Sequence, residues 1–161
     1  MTIAYTGAIT VFGANDLDSL ASSSSLVAGL ESNVITNTYD DVLLSGRFKA
    51  NNTSPTSGNI AVYVGSLLND TEYPDVFDGT MGAETVTSID IRNSILTLAA
   101  GIVTDTTANR VYEFKRRSVA ALFDGVMPPK WFVFVTHAMV QTLNATTGNG
   151  GQVWYTPVSY S

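Results

Sequence analysis

His137 is the only histidine among the 161 residues, and it closes the run Trp131-Phe132-Val133-Phe134-Val135-Thr136. An imidazole there could serve as a general base or a metal ligand. No serine or carboxylate stands at an informative spacing from it, and one ligand does not hold a metal. A hydrogen-bonded structural histidine fits the pattern better. Asp70, Glu72, Asp75, Asp78 and Glu84 crowd one segment. Carboxylates and nearby carbonyls could supply the roughly six to eight oxygens that calcium takes, but the segment lacks EF-hand spacing. A solvated acidic loop facing a basic partner accounts for it better. Asp75 and Asp78, in DVFDG, resemble the carboxylate pair of glycosidases in type but have no defined separation, and Asp78-Gly79 reads as a turn. Lys115-Arg116-Arg117 is the one basic run, too short for a nucleic-acid site and better read as a solvated strand end. Tyr63, Tyr73, Trp154, Tyr155 and Tyr160 could build a sugar-stacking platform, although most fall at strand positions that core packing explains equally well. No catalytic constellation emerges, so the chain reads as a non-enzyme without cofactor or metal.

The elements that would position these groups are extended. Trp131 to Val135 is too short to span a bilayer and too rich in aromatic and β-branched residues for a helix. It predicts a central strand covered on both faces, with Phe132 and Phe134 on one and Trp131, Val133 and Val135 on the other. Residues 42–50 alternate, Val42, Leu44 and Phe48 against Ser45, Arg47 and Lys49, as a half-buried antiparallel strand does. With the strand through Ile60, Val62 and Val64 it predicts a hairpin whose polar tip is NNTSPTSGN. Residues 16–20 suggest a helical turn and 26–36 a strand. Residues 89–103 satisfy both helix and strand periodicities, and a strand is expected over 95–104. Another is expected over 110–115, with Tyr112 and Phe114 on one face. SVAALFD, residues 118–124, predicts one short helix stopped at Gly125. NATTGNGG is a glycine-rich turn leading into a last strand at Val153 to Thr156. Residues 69–88 form a loop far longer than the usual connection of about four to six residues. Its Tyr73, Val76, Phe77 and Met81 predict an ordered loop packed over one end of the sheets. Residues 1–15, with Ile3 and Tyr5, predict an edge strand or an arm reaching a neighbour.

The class that follows is all-β: an antiparallel β-sandwich in one domain, jelly-roll-like, with two packed four-stranded sheets and one short helix. Immunoglobulin wiring lacks its Cys–Trp–Cys landmark, because the chain has no cysteine. Disulfide frameworks and thiolate zinc sites are excluded with it. Charged residues are only 14% and the net charge is −6, so a broad basic face for nucleic acid is not expected. Residues 1–100 hold eleven acidic and three basic groups, whereas 101–161 hold three acidic and five basic. The first residues lack the basic start and apolar core of a signal peptide, and no segment approaches the about twenty apolar residues of a membrane span. A soluble chain that engages neither nucleic acid nor membrane is expected. Four Asn-x-Ser/Thr triplets, at Asn51, Asn52, Asn69 and Asn144, are incidental in so Asn- and Thr-rich a sequence.

Four blocks, YPDVFDGTMGAETVTS, NSILTLAAGI, SVAALFDGVMPPKWFVFVTHA and LNATTGNGG, together resemble a group of small structural proteins of tailed bacteriophages. The resemblance covers about residues 17–160. It implies a virion component on a β-sandwich fold, of the capsid decoration or cement type, made in the host cytoplasm and carried on the capsid surface. The implied partners are the major capsid protein or other virion subunits, with a homo-oligomer, a trimer above all, suited to a symmetric shell. Ala138-Met139 stands after His137 where that group would have a more polar turn, so no site is carried over there. Partner contacts are expected at Ile3, Tyr5, Asp70, Glu72, Tyr73, Asp75, Phe77 and Asp78. A carbohydrate-binding sandwich using surface aromatics is the alternative.

Overall fold

A computed structural model describes residues 2–53, 55–69, 71–146 and 150–161. Among them run eleven strands: β1 (Ile3–Tyr5), β2 (Ile9–Thr10), β3 (Ala28–Glu31), β4 (Ile35–Thr36), β5 (Asp41–Lys49), β6 (Gly58–Ser66), β7 (Gly82–Thr85), β8 (Leu96–Thr104), β9 (Val111–Ser118), β10 (Lys130–His137) and β11 (Gly151–Tyr160). All pairings are antiparallel. Sheet A runs β1-β11-β5-β9, with β2 also on β11, and sheet B runs β7-β3-β10-β6-β8, with β4 also on β10. The pairing is nested: β1 with β11, β3 with β10, β5 with β9 and β6 with β8. Two further pairings, β11 with β5 and β10 with β6, gather these ribbons into the two layers of a sandwich.

The expected hairpin of β5 with β6 does not form. β5 lies in sheet A and β6 in sheet B, so NNTSPTSGN crosses between the layers. A long polar connection looks the same in sequence whether it turns back or crosses over. The burial of β6 on both faces decides the matter, because only sheet B is covered on both sides. The strand expected over 26–36 is likewise two pieces, β3 and β4, interrupted at Ser32, whose hydroxyl accepts from Val133 N at 3.0 Å.

β10 is the centre of sheet B and is buried along its length, as the Trp131–Val135 run predicts. Trp131, Val133 and Val135 face sheet A, in a core with Val42, Leu44, Phe48, Phe114 and Val153. The Trp131 indole meets Tyr155 edge-on at 5.4 Å. Phe132 and Phe134 face outward and are covered by a second cluster with Tyr63, Phe77, Val86 and Leu96. The cover is the long loop together with α1 (Ile89–Ile95). The loop therefore lies over the outer face of sheet B, not over one end of the sheets, because two phenylalanines there must leave water.

α1 is the one α-helix among the described residues. The Ser88 hydroxyl caps it by accepting from Ile91 N, and Asp90 sits in its first turn. Residues 89–104 thus carry both periodicities because helix passes directly into strand at Leu96. Arg92 pins the helix down, donating to the carbonyls of Ser25 and Leu26 at 2.9 and 3.0 Å and standing 5.1 Å from the Tyr63 ring centroid. The helix expected over 118–124 is a single 3-10 turn, Ala120–Phe123, ended by Asp124 and Gly125 at positive φ. Ser118 does accept from Ala121 N, but four residues between a strand and a left-handed stop leave no room for α-helical hydrogen bonding. The glycine-rich turn expected over 144–151 includes residues 147–149, which lie outside the described residues.

Candidate functional site

Two surfaces carry groups that the core does not use. The first is the cover on sheet B. Glu31, on β3 opposite Phe134, is fully buried beneath it. Its Oε1 accepts from Gly79 N at 2.9 Å and its Oε2 from Asp78 N at 3.4 Å, so the carboxyl group ties the loop to the sheet. Burial pushes its pKa up to about 7 against those two hydrogen bonds, and the carboxylates of Asp78 and Glu84 push the same way. Glu84 is also raised, by burial first and then by Asp78. Next to this latch, Asp75 accepts from both Thr87 N and Thr87 Oγ1, at 2.9 and 2.8 Å. Glu72 accepts from Asn69 Nδ2 at 3.0 Å, and Asp78 Oδ1 from Thr80 N at 2.7 Å. The acidic residues thus organise the loop itself. Among the described residues no three His, Cys, Asp or Glu side chains converge on a point that could hold a metal ion.

The second surface is the outward face of sheet A. Trp154 lies at its middle, opposite Thr10 of β2 on one side and Ser45 of β5 on the other. Three adjoining hollows, of about 230, 220 and 270 Å³, all include Trp154 in their walls. Ser45 stands where β5 and β9 slip register, and the bulge on β9 holds Arg116 at φ +50. The Ser45 hydroxyl fixes the bulge by accepting from Arg116 N at 3.1 Å. Among the described residues neither Arg116 nor Arg47 has a carboxylate partner, and Lys115 meets Glu113 only at 3.7 Å.

The partner-contact residues expected from the sequence fall on different layers. Ile3 and Tyr5 lie on β1 at the edge of sheet A, paired with Tyr160 and Val158, and both are exposed. Residues 2–10 are therefore laid along the sheet edge, and Phe12 just beyond is core. Glu72, Asp75 and Asp78 are exposed on the cover of sheet B, where Tyr73 is half-buried. Phe77 is spent inside the chain, its ring 4.7 Å from Phe132 and 5.4 Å from Phe134. Asp70 lies outside the described residues. Of the aromatics considered for sugar stacking, Tyr63 and Tyr155 are buried, which leaves Trp154 half-buried among the three hollows, Tyr73 half-buried in the cover, and Tyr160 beside β1 at the edge of sheet A.

His137 is fully buried, with Nε2 2.8 Å from the Leu20 carbonyl, so Nε2 carries the hydrogen. Burial pushes its pKa below the usual histidine range, while the Leu20 and Met139 backbone pulls the other way. That is the structural role the sequence favours. Sequence reasoning missed Glu31 and undervalued Arg116. A lone acid in the apolar stretch LVAGLESNVI was a usable signal for the first. The second had none, since a bulge depends on pairing with a distant strand.

By fold and site this is a two-sheet β-sandwich with one covered face and one open, cation-bearing face. Comparison with protein-family models, with curated proteins and with solved structures finds no match.

Proposed function

We propose that this chain is a structural subunit of a tailed-bacteriophage particle, a capsid decoration or cement protein that binds the shell through its N-terminal edge. The observation that carries the reading is an apolar edge the chain does not cover itself: Ile3 is 51% exposed, Tyr5 61% and the neighbouring Tyr160 44%. Large side chains left bare together at one sheet edge, Ile3 and Tyr5 on β1 and Tyr160 opposite on β11, suit a subunit contact. The acidic cover gives a second contact for a basic neighbour, since Glu72, Asp75 and Asp78 are exposed there. The nested strand pairing supports the same reading. First strand with last, then inward in order, is how a long antiparallel ribbon winds into a jelly roll, an architecture of viral capsid and lectin domains. The sequence blocks that resemble phage structural proteins point the same way.

Stable shell contacts bury on the order of 1,200–2,000 Å² in all, so the edge and the cover would both take part, within a homo-oligomer of which a trimer suits a threefold position. The test is quantitative mass spectrometry of purified particles of the phage that encodes the chain, with its position found by microscopy. Many copies per particle on the capsid surface are expected. Absence from the particle ends the reading.

A further inference from the structure

We infer that the trough on the outward face of sheet A, centred on Trp154 and Arg116, binds an anionic saccharide of the uronate class. The inference stands apart from the shell-binding role and rests on Trp154 and Arg116, although Tyr5 of the shell-binding edge also lines one of the hollows. The chain as a whole is acidic, with fourteen acidic and eight basic residues. Yet Lys115 and Arg116 of β9 line the trough, and Arg47 and Lys49 take alternate positions further along β5. Glu113 is the acid among them, and it stands opposite Arg47 in the β5–β9 register. Unpaired guanidinium groups on a chain of net charge −6 call for an anion from outside, and a guanidinium matches a carboxylate in two-pronged geometry.

Position adds to charge. Arg116 occupies the left-handed region at φ +50, which a bulky residue adopts at a cost, and the bulge re-aims the strand beside Trp154. An indole at the junction of three hollows offers a flat apolar surface for the C–H face of a sugar ring. Thr10, Ser45 and Thr156 set hydroxyls around it, able to give and take hydrogen bonds with a polyhydroxylated ligand. Each hollow alone is small, but side by side they reach the range of about 300–1,000 Å³ of small-molecule sites. An acidic peptide fits less well. The trough lies over β5 and β11, which are paired on both sides, and away from the outer edge of β9, where a strand could add, and it has no deep apolar pocket for an anchor side chain.

The assay uses the native protein and its two tryptophans. Trp131 is fully buried and Trp154 is not, so acrylamide quenching of the emission reports Trp154. Trigalacturonate is expected to protect Trp154 saturably, with affinity that falls as salt rises, whereas the neutral maltotriose does not protect it. Arg116→Gln, checked for an unchanged melting temperature, is expected to weaken trigalacturonate binding about tenfold or more, the worth of a charge-assisted pair. If that variant melts early, Lys115→Gln, which is not at positive φ, takes its place with a severalfold weakening expected. Three results overturn the inference: no saturable protection by trigalacturonate at millimolar concentration, equal protection by maltotriose, or equal protection by hexaglutamate, which would make the trough a peptide site. Retention of trigalacturonate binding by a chain absent from phage particles would leave this inference standing and sink the shell role.

Discussion

Replacing Glu31 with Gln isolates the electrostatics of the loop latch. The buried carboxyl has a pKa of about 7 in the folded chain against 4.5 for an ordinary glutamate. Below pH 4.5 it is protonated in both folded and unfolded chains, and its contribution to stability is fully present. As pH rises through the window up to about 7, the unfolded chain releases the proton while the folded chain retains it, so stability falls. At about 1.4 kcal/mol per pH unit, the wild-type chain loses on the order of 3 kcal/mol by pH 8. Glutamine keeps an acceptor for Gly79 N and cannot ionise, so E31Q escapes that loss. The two chains are expected to unfold alike near pH 4.5, with E31Q melting about 6–12 °C higher at pH 8, scaled to a chain of this length. His137 titrates in both chains with the opposite slope and cancels in the difference. The assay is thermal melting of both proteins from pH 4.5 to 8. A difference that does not change with pH would mean that Glu31 stays ionised under the cover, and the reasoning would fail.

Phe77→Ala should cost about 3–5 kcal/mol, because the ring is held between Phe132 and Phe134, and it should expose the loop to limited proteolysis before the sheets unfold. An intact loop after brief protease treatment would show that something else holds the cover. Gly29→Ala should destabilise by about 1–3 kcal/mol or more, since a Cβ there would meet the Val135 carbonyl oxygen and come within 2.8 Å of Phe134 Cζ; urea unfolding reads the loss. His137→Gln removes a group held neutral below its usual range. The His137 contribution is lost as pH falls below 6.5, where only the unfolded chain takes up that proton, and it opposes the Glu31 slope. The melting temperature of wild type minus that of the variant should therefore fall on the acid side in the same melts.

Much of the scaffold is legible in sequence. The Trp131–Val135 run fixes a strand buried on both faces, because no other arrangement takes its aromatic and β-branched side chains out of water within eight residues of β10. Alternation in Val42 to Lys49 and in Ile60 to Val64 yields β5 and β6 with the correct faces inward. Which strand pairs with which is not legible. The link between β5 and β6 has a turn composition that serves a hairpin and a crossover equally, and the choice depends on where each sheet finds its cover. The helix at residues 89–95 was hidden for a related reason, as apolar residues at its spacing also alternate.

What sequence alone determined is therefore local: most of the long strands, their apolar faces and the absence of cysteine chemistry. Tertiary structure alone decided the chemistry at the surface. Glu31 acquires its raised pKa only because a loop 47 residues further on closes over it. Phe77 looks available for a partner until Phe132 and Phe134 enclose it. Trp154 and Arg116 become neighbours only when β11 and β9 both pair with β5 and the bulge turns the chain beside Ser45. Burial and charge separation are properties of position in space, and in a sandwich wired by long-range pairing that position is set by contacts across the whole chain.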